Sequence, residues 1–588
     1  MSAVLAAILA VAVWQPGPDW KETPDPVASP LAKKGGVLRF NGSSAPKSLN
    51  GYVDNNVYSA MMFSLMYDKL LSTDTETLEF EPGLARRWLV SEDGREFTFE
   101  IDERARWSDG VPVSATDVKW TFDAVMDPKS ETGSWKILLG EFESPEVLDA
   151  AGKRPRLVRF RKKEGLERNW RDLLNCSTFW VLPAHAFGGR DFNKLDLVGA
   201  VVGGPYRISR IDEQVETEYS RVKEWWRADS PACRYTCNFD RILMRYYADN
   251  ENAFDALKKG AIDVYPLYLA RLWATETSGP RFEKNWLVKR RVRNHEPVGF
   301  QGFAMNMRRW PFDDVRVRKA MAKLLDREKM NSTMMYGAYF LQRSYYEDLY
   351  DEAHPCRNPL YLFDPDGAKA LLAEAGFVRN GTTGMLEKDG RPFEFTFLSK
   401  NASDDRFLVH FNAALKDAGV KMSIVRKDFA NWMRDMDSFE FDMTWQSWGA
   451  AVFRNPEPMW LSAEADRKQS GNTVGFKSAE VDRLINAEKT MPTVAEREDA
   501  YREIDRLIAA ECPYAFLWNI AAKRLVYWNK FGMPDTVLSK YDNEAGVISY
   551  WWYDPDKAEE LAEAKSRGTF LPSVPVDVDY DTVMKGRK

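Results

Sequence analysis

Alternation of apolar and polar residues predicts the strands of this chain, and apolar residues three to four positions apart predict its helices. The strand period is plain in Phe97–Ile101 and again in Phe393–Phe397. Met, Phe and Leu fall on one side of a helical stretch over Tyr58–Leu71. A short apolar strand at 35–40 opens this folded part. The chain therefore mixes both kinds of element from its first hundred residues onward.

Between residues 238 and 265 the pattern changes from strand to helix and back. The stretch 238–247 is strand-like, Ala253–Lys259 is helical with Gly260 beyond it, and a strand begins at Asp263. Two strands joined by a helix in this order form a β-α-β unit, whose strands run parallel. The sequence therefore predicts an α/β fold.

The stretch Ala105–Asp123 combines a turn with a helix start. Asp109-Gly110 is a turn pair, because Gly tolerates a positive φ and Asp bonds its own backbone. Ser114 and Thr116 are both helix N-cap types, and Asp117 would lie in the first helical turn. We expect the helix to open at one of these two residues.

The second half of the chain continues the alternation of strand and helix. A strand ends at Asn306, Pro311 interrupts the pattern, and Asp313 or Asp314 caps a helix with Val315 on its inner face. Later helices are predicted at Asp364–Phe377, closed by Gly376, and at Phe407–Gly419. Later strands are predicted at 422–425 and 511–518, and residues 442–449 are predicted to be a strand leading into a loop. The polar segment Arg567–Lys588 has no predicted role.

Length and composition set the scale and exclude some partners. A chain of 588 residues is too long for one hydrophobic core, so two or more domains are expected. The net charge of -6 gives no electrostatic case for nucleic acid or for an anionic membrane. Aromatic residues make up 13%, with 21 Trp, which either add core mass or stack on a ligand.

The N-terminus resembles an export signal that lacks its basic residues. Val4–Val13 is an apolar run of 10, too short to span a bilayer, and Ala10-Val11-Ala12 is an A-x-A-like cleavage site. Either the start codon is misplaced or the segment is an uncleaved tether. Trp14–Pro30 is Pro-rich and is predicted to be a linker. No Cys follows the apolar run, so a lipid anchor of the bacterial lipoprotein kind is not expected.

Few residues offer catalytic or metal chemistry. The five cysteines include Cys233 and Cys237, which could close a small disulfide loop in an exported protein or supply half of a zinc site. The four histidines lack ligand spacing, and no common hydrolase, P-loop or dinucleotide motif occurs. We therefore expect a protein without catalytic residues, metal or cofactor.

Four strings, in order along the chain, carry a resemblance to a known family. L-A-x-x-W at 84–88, D-G-x-x-F-x-F at 93–99 and W-S-D-G-x-P-x-S-A-x-D-V at 107–118 resemble the signature of the extracellular solute-binding proteins of family 5. P-F-D-D-x-R-V-R at 311–318 resembles the string that opens the family's second lobe. These proteins are the peptide-, nickel- and oligosaccharide-binding components of ABC importers. The resemblance extends over about residues 35–550.

The resemblance implies a fold and its boundaries. The expected class is α/β, a two-lobed periplasmic-binding-protein-like fold with two hinge crossings and an enlarged first lobe. Lobe 1 would be discontinuous, from 35–295 and 523–588, and lobe 2 would be 296–522, after a signal or tether and linker at 1–34. Ligand binding would shift the population toward a closed form that a membrane permease receives.

Candidate ligand contacts lie on loops after strands, where clefts of α/β lobes usually form. They are Ser43, Ser44, Trp180, Tyr206, Asn306, Trp445, Trp448, Asn455 and Glu457. In the family, Trp448 would lie beside the ligand, whereas core packing is the rival interpretation for Trp445. Strings at 304–314 and 331–344 look most like the branch for longer or modified peptides.

One departure from the family bears on the ligand. Many peptide-binding members carry W-x-x-D, whose Asp pairs with the free amine of a peptide, but here Ala451 follows Trp448 at that spacing. Glu457 could substitute. The first hypothesis is an exported, monomeric binder of peptides or peptide-like solutes, periplasmic or tethered to the membrane. An oligosaccharide or metal-chelate binder of the same fold is the second, and an exported hydrolase the third.

Overall fold

The structure, a computed structural model, describes residues 13–42, 48–54, 57–491 and 493–587. The chain divides into two compact units. Unit 1 comprises Met1–Tyr268, Thr277–Asn294 and Ala522–Lys588, and unit 2 comprises Leu269–Glu276 and His295–Ala521. The chain therefore leaves unit 1 twice, briefly after Tyr268 until Thr277 and again after Asn294 until Ala522.

An eight-stranded mixed sheet is the centre of unit 1. In spatial order its strands are Asp577–Asp579, Leu287–Arg293, Lys523–Trp528, Val264–Pro266, Val37–Asn41, Arg241–Arg245, Glu216–Arg221 and Tyr206–Asp212. Val37–Asn41 pairs in parallel with the strands on both of its sides, which are joined through the helix Asn250–Lys259. The predicted β-α-β unit is thus confirmed.

A second, four-stranded antiparallel sheet in unit 1 contains Ala85–Val90, Glu96–Ile101, Leu157–Arg161 and Glu146–Val147. Two short strand pairs join Leu71–Thr73 to Phe80–Pro82 and Phe531–Gly532 to Trp552–Tyr553. The α-helices of unit 1 are Val57–Met66, Ala115–Met126, Gly133–Leu139, Arg171–Ser177, Ala184–Phe187, Asn250–Lys259, Pro280–Glu283, Gly546–Tyr550, Pro555–Arg567 and Tyr580–Gly586, with a 3-10 turn at Phe192–Lys194.

Of the two candidate caps for the helix Ala115–Met126, the structure uses Ser114. The Asp117 carboxylate accepts a hydrogen bond from the Ser114 backbone N–H at 2.8 Å, and its other oxygen accepts from the Ala184 N–H at 2.9 Å. One side chain therefore caps the helix and holds the following segment against it.

The first predicted helix is shorter than its apolar pattern suggests. It ends at Met66, not at Leu71, which starts a strand instead. The Lys69 and Leu70 carbonyls accept hydrogen bonds from the Leu84 and Ala85 N–H groups at 2.8 and 2.9 Å. Tertiary pairing of the backbone overrides the helical spacing here, because those carbonyls cannot serve a helix as well.

Residues 13–34, which we call the N-terminal arm, lie along unit 1. Gln15 pairs with Trp88 as an isolated antiparallel bridge, Val27 is fully buried, and the Tyr550 hydroxyl donates to Asp25 at 2.8 Å. Glu22 forms an ion pair with Arg227 at 3.0 Å. The Pro-rich stretch predicted as a linker is thus fixed at several points on the folded part.

Unit 2 is built on a five-stranded sheet. In spatial order its strands are Lys421–Arg426, Glu394–Ser399, Met443–Trp448, Phe300–Met305 and Tyr514–Phe516. Smaller sheets join Val378–Arg379, Leu386–Lys388 and Arg391–Pro392, and Phe340–Leu341 with Trp518–Asn519. The α-helices are Ala270–Thr275, Val315–Leu324, Arg327–Met334, Pro365–Glu374, Asp405–Ala418, Phe429–Asp437, Glu457–Trp460, Ala479–Glu488 and Val494–Glu511, with 3-10 turns at Glu347–Leu349, Ala402–Asp404 and Ser462–Glu464.

Two predicted helix ends in unit 2 are confirmed. Gly376 follows the helix Pro365–Glu374 with φ +93, and Gly419 ends Asp405–Ala418 with φ +87. Both glycines adopt the left-handed conformation that ends a helix without a Cβ clash. Within the part of the chain that the structure describes, no helix combines the length and apolarity needed to cross a bilayer.

Candidate functional site

Trp445 and Trp448 lie on the strand Met443–Trp448, which pairs antiparallel with Phe300–Met305. Trp445 is half-buried: its ring packs on Phe303 and Phe407 with centroids 5.7 and 5.5 Å away. Its indole N–H donates to Gln301 Oε1 at 3.1 Å. Trp445 thus shares in the core while one side stays accessible.

Gln301 is a residue of this strand pair that sequence reasoning missed. Besides accepting from Trp445, its amide nitrogen donates to the Trp518 carbonyl at 2.7 Å, and its oxygen lies 3.4 Å from the Ser447 hydroxyl. It therefore fixes the orientation of the strand end. A polar residue between Phe300 and Gly302 at the start of an apolar strand was the available signal.

Trp448 ends the strand in a chain of buried hydrogen bonds. Its indole N–H donates to the Tyr514 hydroxyl at 3.1 Å, and that hydroxyl donates to Gln446 Oε1 at 3.0 Å. Burial raises the pKa of Tyr514 to about 12, so the phenol is neutral at physiological pH. The half-buried Trp448 ring is therefore held in one orientation, and the exposed residues Gly449–Ala451 follow it.

Asn455 and Glu457 are engaged with protein groups. Asn455 is exposed and its side-chain oxygen accepts from the Glu457 N–H at 3.1 Å. The Glu457 carboxylate forms an ion pair with Lys489 at 3.0 Å, with side-chain exposures of 24% and 15%. A carboxylate whose charge is already balanced by a lysine attracts a second ammonium group only weakly.

Asn306 is fully buried and serves the backbone. Its amide donates to the Phe439 and Phe441 carbonyls at 3.0 and 2.9 Å, and its oxygen accepts from Arg308 Nη1 at 3.0 Å. It thereby joins the end of one strand to the loop before the next. All of its polar atoms are used inside unit 2.

The two described candidates in unit 1, Tyr206 and Trp180, are buried. Tyr206 has no exposed surface, and its hydroxyl donates to the Phe239 carbonyl at 2.9 Å. Trp180 is 6% exposed and sits among aromatic rings. Ser43 and Ser44 lie outside the described residues. Ligand contact by any of the nine candidates stays a prediction.

The structure brings together Trp445 and Trp448 on one strand and Asn455 and Glu457 on the loop and short helix that follow it. Cys233 and Cys237 are both free thiols, so the predicted disulfide is not formed in this structure. Burial raises the pKa of Cys237 to about 12. Among the described residues, no group of three or more His, Cys, Asp or Glu could hold a metal ion.

Comparison with known proteins identifies what the chain is similar to. Residues 79–470 match the family described as bacterial extracellular solute-binding proteins, family 5 middle. The chain is 27% identical to the peptidoglycan-binding protein YepA of Agrobacterium fabrum, over 90% of this chain and 92% of that protein. It is 26% identical to the "Probable peptide-binding protein YejA" of the same organism, over 89% and 90%.

A solved structure has the same fold. The oligopeptide-binding protein AppA of Bacillus subtilis, in complex with a nonapeptide, matches with a TM-score of 0.66 and 21% identity. The match covers 89% of this chain and 99% of that one. The predicted α/β class and two-lobed family fold are confirmed.

Proposed function

Because the chain belongs to family 5 of the bacterial extracellular solute-binding proteins, we propose that it captures a peptide or peptide-like solute and delivers it to the membrane permease of an ABC importer. The observation that carries this ligand class is the similarity, over 90% and 89% of the chain, to relatives named for peptidoglycan and peptide binding. A monomer that performs no chemistry on its ligand is part of the proposal.

Recognition is proposed not to require a free N-terminal amine. The residue at the W-x-x-D spacing is the exposed Ala451, which has no charge to offer. Glu457, the other carboxylate considered for this role, is neutralised by Lys489. A ligand ammonium would therefore have to break an existing ion pair to reach it.

The test compares one peptide in its free-amine and N-acetylated forms by calorimetry. Equal affinity is expected, and the variant Glu457→Gln should bind both forms as the wild type does. A tenfold or greater preference for the free amine that disappears in Glu457→Gln would contradict this part of the proposal and give that carboxylate the role.

The ligand class itself is tested on what co-purifies. Native mass spectrometry of the purified protein, followed by denaturing release, is expected to show peptide masses of mixed sequence. Released peptides would also reveal the range of ligand lengths. Masses spaced by hexose units, or a protein stabilised by no peptide panel, would overturn the peptide class and leave family membership intact.

A peptidoglycan fragment is a second candidate, favoured by the name of the YepA relative. Such a fragment carries amino-sugar rings beside a short peptide. The half-buried ring of Trp448, held by Tyr514, is an aromatic surface of the kind that stacks on sugar faces. Muropeptides among the released masses, together with tenfold weaker muropeptide binding in Trp448→Ala, would select this candidate.

Export is proposed to precede function, with the protein in the periplasm or on the outer face of the cytoplasmic membrane. The support is the apolar run Val4–Val13 with its A-x-A-like site at 10–12. Intact-mass measurement on the exported protein should find cleavage after Ala12. A retained N-terminus in a membrane fraction would point to the tether instead.

A further inference from the structure

Lys69 is a cationic side chain for which the described residues provide no counter-charge. It lies in unit 1 directly before the strand Leu71–Thr73, and its backbone forms an isolated antiparallel bridge with Trp180. Its ammonium lies 5.8 Å from the centroid of the Trp180 ring. Surrounding protein lowers the pKa of Lys69 by desolvation, and no charged group of the described chain opposes or adds to that shift. The residue as a whole is partly exposed, so the site borders the protein surface.

Lys162 of the same unit shows how a buried lysine is normally accommodated. It is 3% exposed, and its ammonium lies 2.6 Å from Asp172 Oδ1 and 3.2 Å from Glu141 Oε2. Two carboxylates replace the water that the ammonium loses, as buried charges generally require. Lys69 has no such pair among the described residues.

The carboxylate next to Lys69 in sequence is used elsewhere. Asp68 Oδ2 accepts from the Trp226 indole N–H at 3.1 Å. Burial raises the pKa of Asp68, and the nearby Arg227 guanidinium opposes that shift. Asp68 therefore belongs to a separate polar cluster and does not neutralise Lys69.

Trp180 supplies a second donor that has no acceptor. Its indole nitrogen is buried without a hydrogen-bond partner in the described structure, although the residue is only 6% exposed. The ring is enclosed by Tyr52, Phe63 and Trp135, with centroids 5.5, 5.1 and 5.1 Å away. A buried N–H without an acceptor destabilises the fold, so such groups are uncommon unless a ligand or water supplies the acceptor.

We propose that Lys69 and Trp180 form an anion site that receives a carboxylate group of the ligand. The site rests on the proposed function only in assigning that carboxylate to a peptide-like solute. A carboxylate oxygen would accept from the Lys69 ammonium, and the Trp180 indole N–H is the neighbouring donor that still needs an acceptor. The aromatic surroundings exclude water and so strengthen both interactions.

The first experiment uses acetate as the probe, so it does not depend on the natural ligand. Thermal unfolding of the whole protein is followed in sodium acetate and in sodium chloride at equal ionic strength. The wild type is expected to gain stability in acetate, because a ligand that binds only the folded state stabilises it. Lys69→Met should lose that gain, whereas Lys259→Met, which removes an exposed charge from unit 1, should keep it.

Two results overturn the site: no acetate effect in the wild type, or the same effect in Lys69→Met. Replacing a desolvated ammonium by an apolar chain of similar length is compatible with folding. Lys69→Arg provides a second variant, which keeps the charge and should retain at least part of the acetate response.

A second experiment compares N-acetylated peptides with a free or an amidated C-terminus, identified by native mass spectrometry as binders of the wild type. At least a tenfold preference for the acid is expected in the wild type and should be lost in Lys69→Met. Equal preference in both proteins contradicts the site and leaves peptide capture standing. If no peptide of either form binds, the proposed function fails, and the acetate experiment still decides the site.

Discussion

Arg291 and Asp577 lie opposite each other in a pair of parallel strands, and their side chains also form an ion pair. Arg291 Nη2 lies 2.9 Å from Asp577 Oδ2, and Arg291 Nε also donates to the same carboxylate. Asp577 opens the last strand of the chain, and Arg291 lies on Leu287–Arg293, the strand from which the chain leaves unit 1. The C-terminal residues thereby cover what would otherwise be an open sheet edge.

We predict that the buried side chains of this C-terminal segment contribute more to the free energy of unfolding than its ion pair with Arg291 does. Deleting residues 574–588 removes Val578 and Tyr580, which are 8% and 2% exposed, and uncovers Leu287–Arg293. The expected loss is about 2–5 kcal/mol, with self-association of the uncovered edge. Urea unfolding measures the first and light scattering the second.

The matched control is Asp577→Ala in the full chain. Its ion pair with Arg291 is exposed by 51% and 38% on the two sides, so the expected loss is only about 0–1 kcal/mol. A deletion no more harmful than this single substitution would show that the last strand is dispensable.

A second prediction concerns Asp505, a fully buried carboxylate of unit 2. It accepts hydrogen bonds from the Tyr345 N–H, the Ser344 and Tyr350 hydroxyls and the Asn358 amide, at 2.8, 2.8, 2.7 and 2.5 Å. Asp505→Ala removes the shared acceptor of four buried hydrogen bonds, so we expect a loss of about 3 kcal/mol or more in urea unfolding.

Asp499 on the same helix is the control for Asp505. Its side chain is 76% exposed and pairs with Arg502, so Asp499→Ala should change stability by no more than about 0.5 kcal/mol. Similar losses in the two variants would mean that the four buried hydrogen bonds contribute little.

The sequence predicted elements better than it predicted which side chains would be accessible. Gly376, Gly419 and Ser114 mark their helix ends correctly because the signal is local: a backbone conformation or a cap. Tyr206 begins the strand Tyr206–Asp212 and Asn306 follows the strand Phe300–Met305, but the burial of both depends on residues distant in the chain, such as Phe239 and Phe439. A position at the end of a strand therefore does not indicate that a side chain is exposed.

The same limit explains the missed residues. Nothing in the sequence around Lys69 or Lys162 shows whether a carboxylate lies near either side chain in the fold. The difference between them is that Asp172 and Glu141 form ion pairs with Lys162, while no carboxylate of the described residues pairs with Lys69. Likewise, the packing of the N-terminal arm depends on distant partners, Trp88, Arg227 and Tyr550.

A third prediction follows from Asp542 in unit 1. Burial is the main reason that its pKa rises from 3.8 to about 6, with Asp25 adding to the shift and a hydrogen bond from Ser539 opposing it. Since the folded-state pKa lies above the unfolded value, the folded state binds the proton more tightly. The stability that the protonated Asp542 carboxyl contributes is fully present below pH 3.8 and is lost as pH rises through about 6.

Asp542→Asn should therefore be more stable than the wild type at neutral pH, by at most about 3 kcal/mol, with the difference vanishing near pH 4. Urea unfolding over this pH range measures it. The Asn294 amide donates to the backbone carbonyls of Ser539 and Asp542, at 2.8 and 2.7 Å, so the substitution leaves those bonds in place. Asp556→Asn, at an 81% exposed carboxylate, should show no such pH-dependent gain.

The last prediction concerns how the stability of the ligand-free protein depends on pH at Lys69. Desolvation lowers its folded-state pKa below the ordinary value of 10.5, so the unfolded chain holds the proton more tightly. The resulting loss of folding stability is complete below the folded-state pKa and disappears as pH rises toward 10.5.

Lys69→Met removes this loss, so the variant should be more stable than the wild type at neutral pH, by a margin that shrinks under alkaline conditions. Lys162→Met should instead be destabilised, because it leaves the Asp172 and Glu141 carboxylates without their ammonium partner. A Lys69→Met margin that is absent, or constant with pH, would mean that the Lys69 ammonium is already compensated and needs no anion from a ligand.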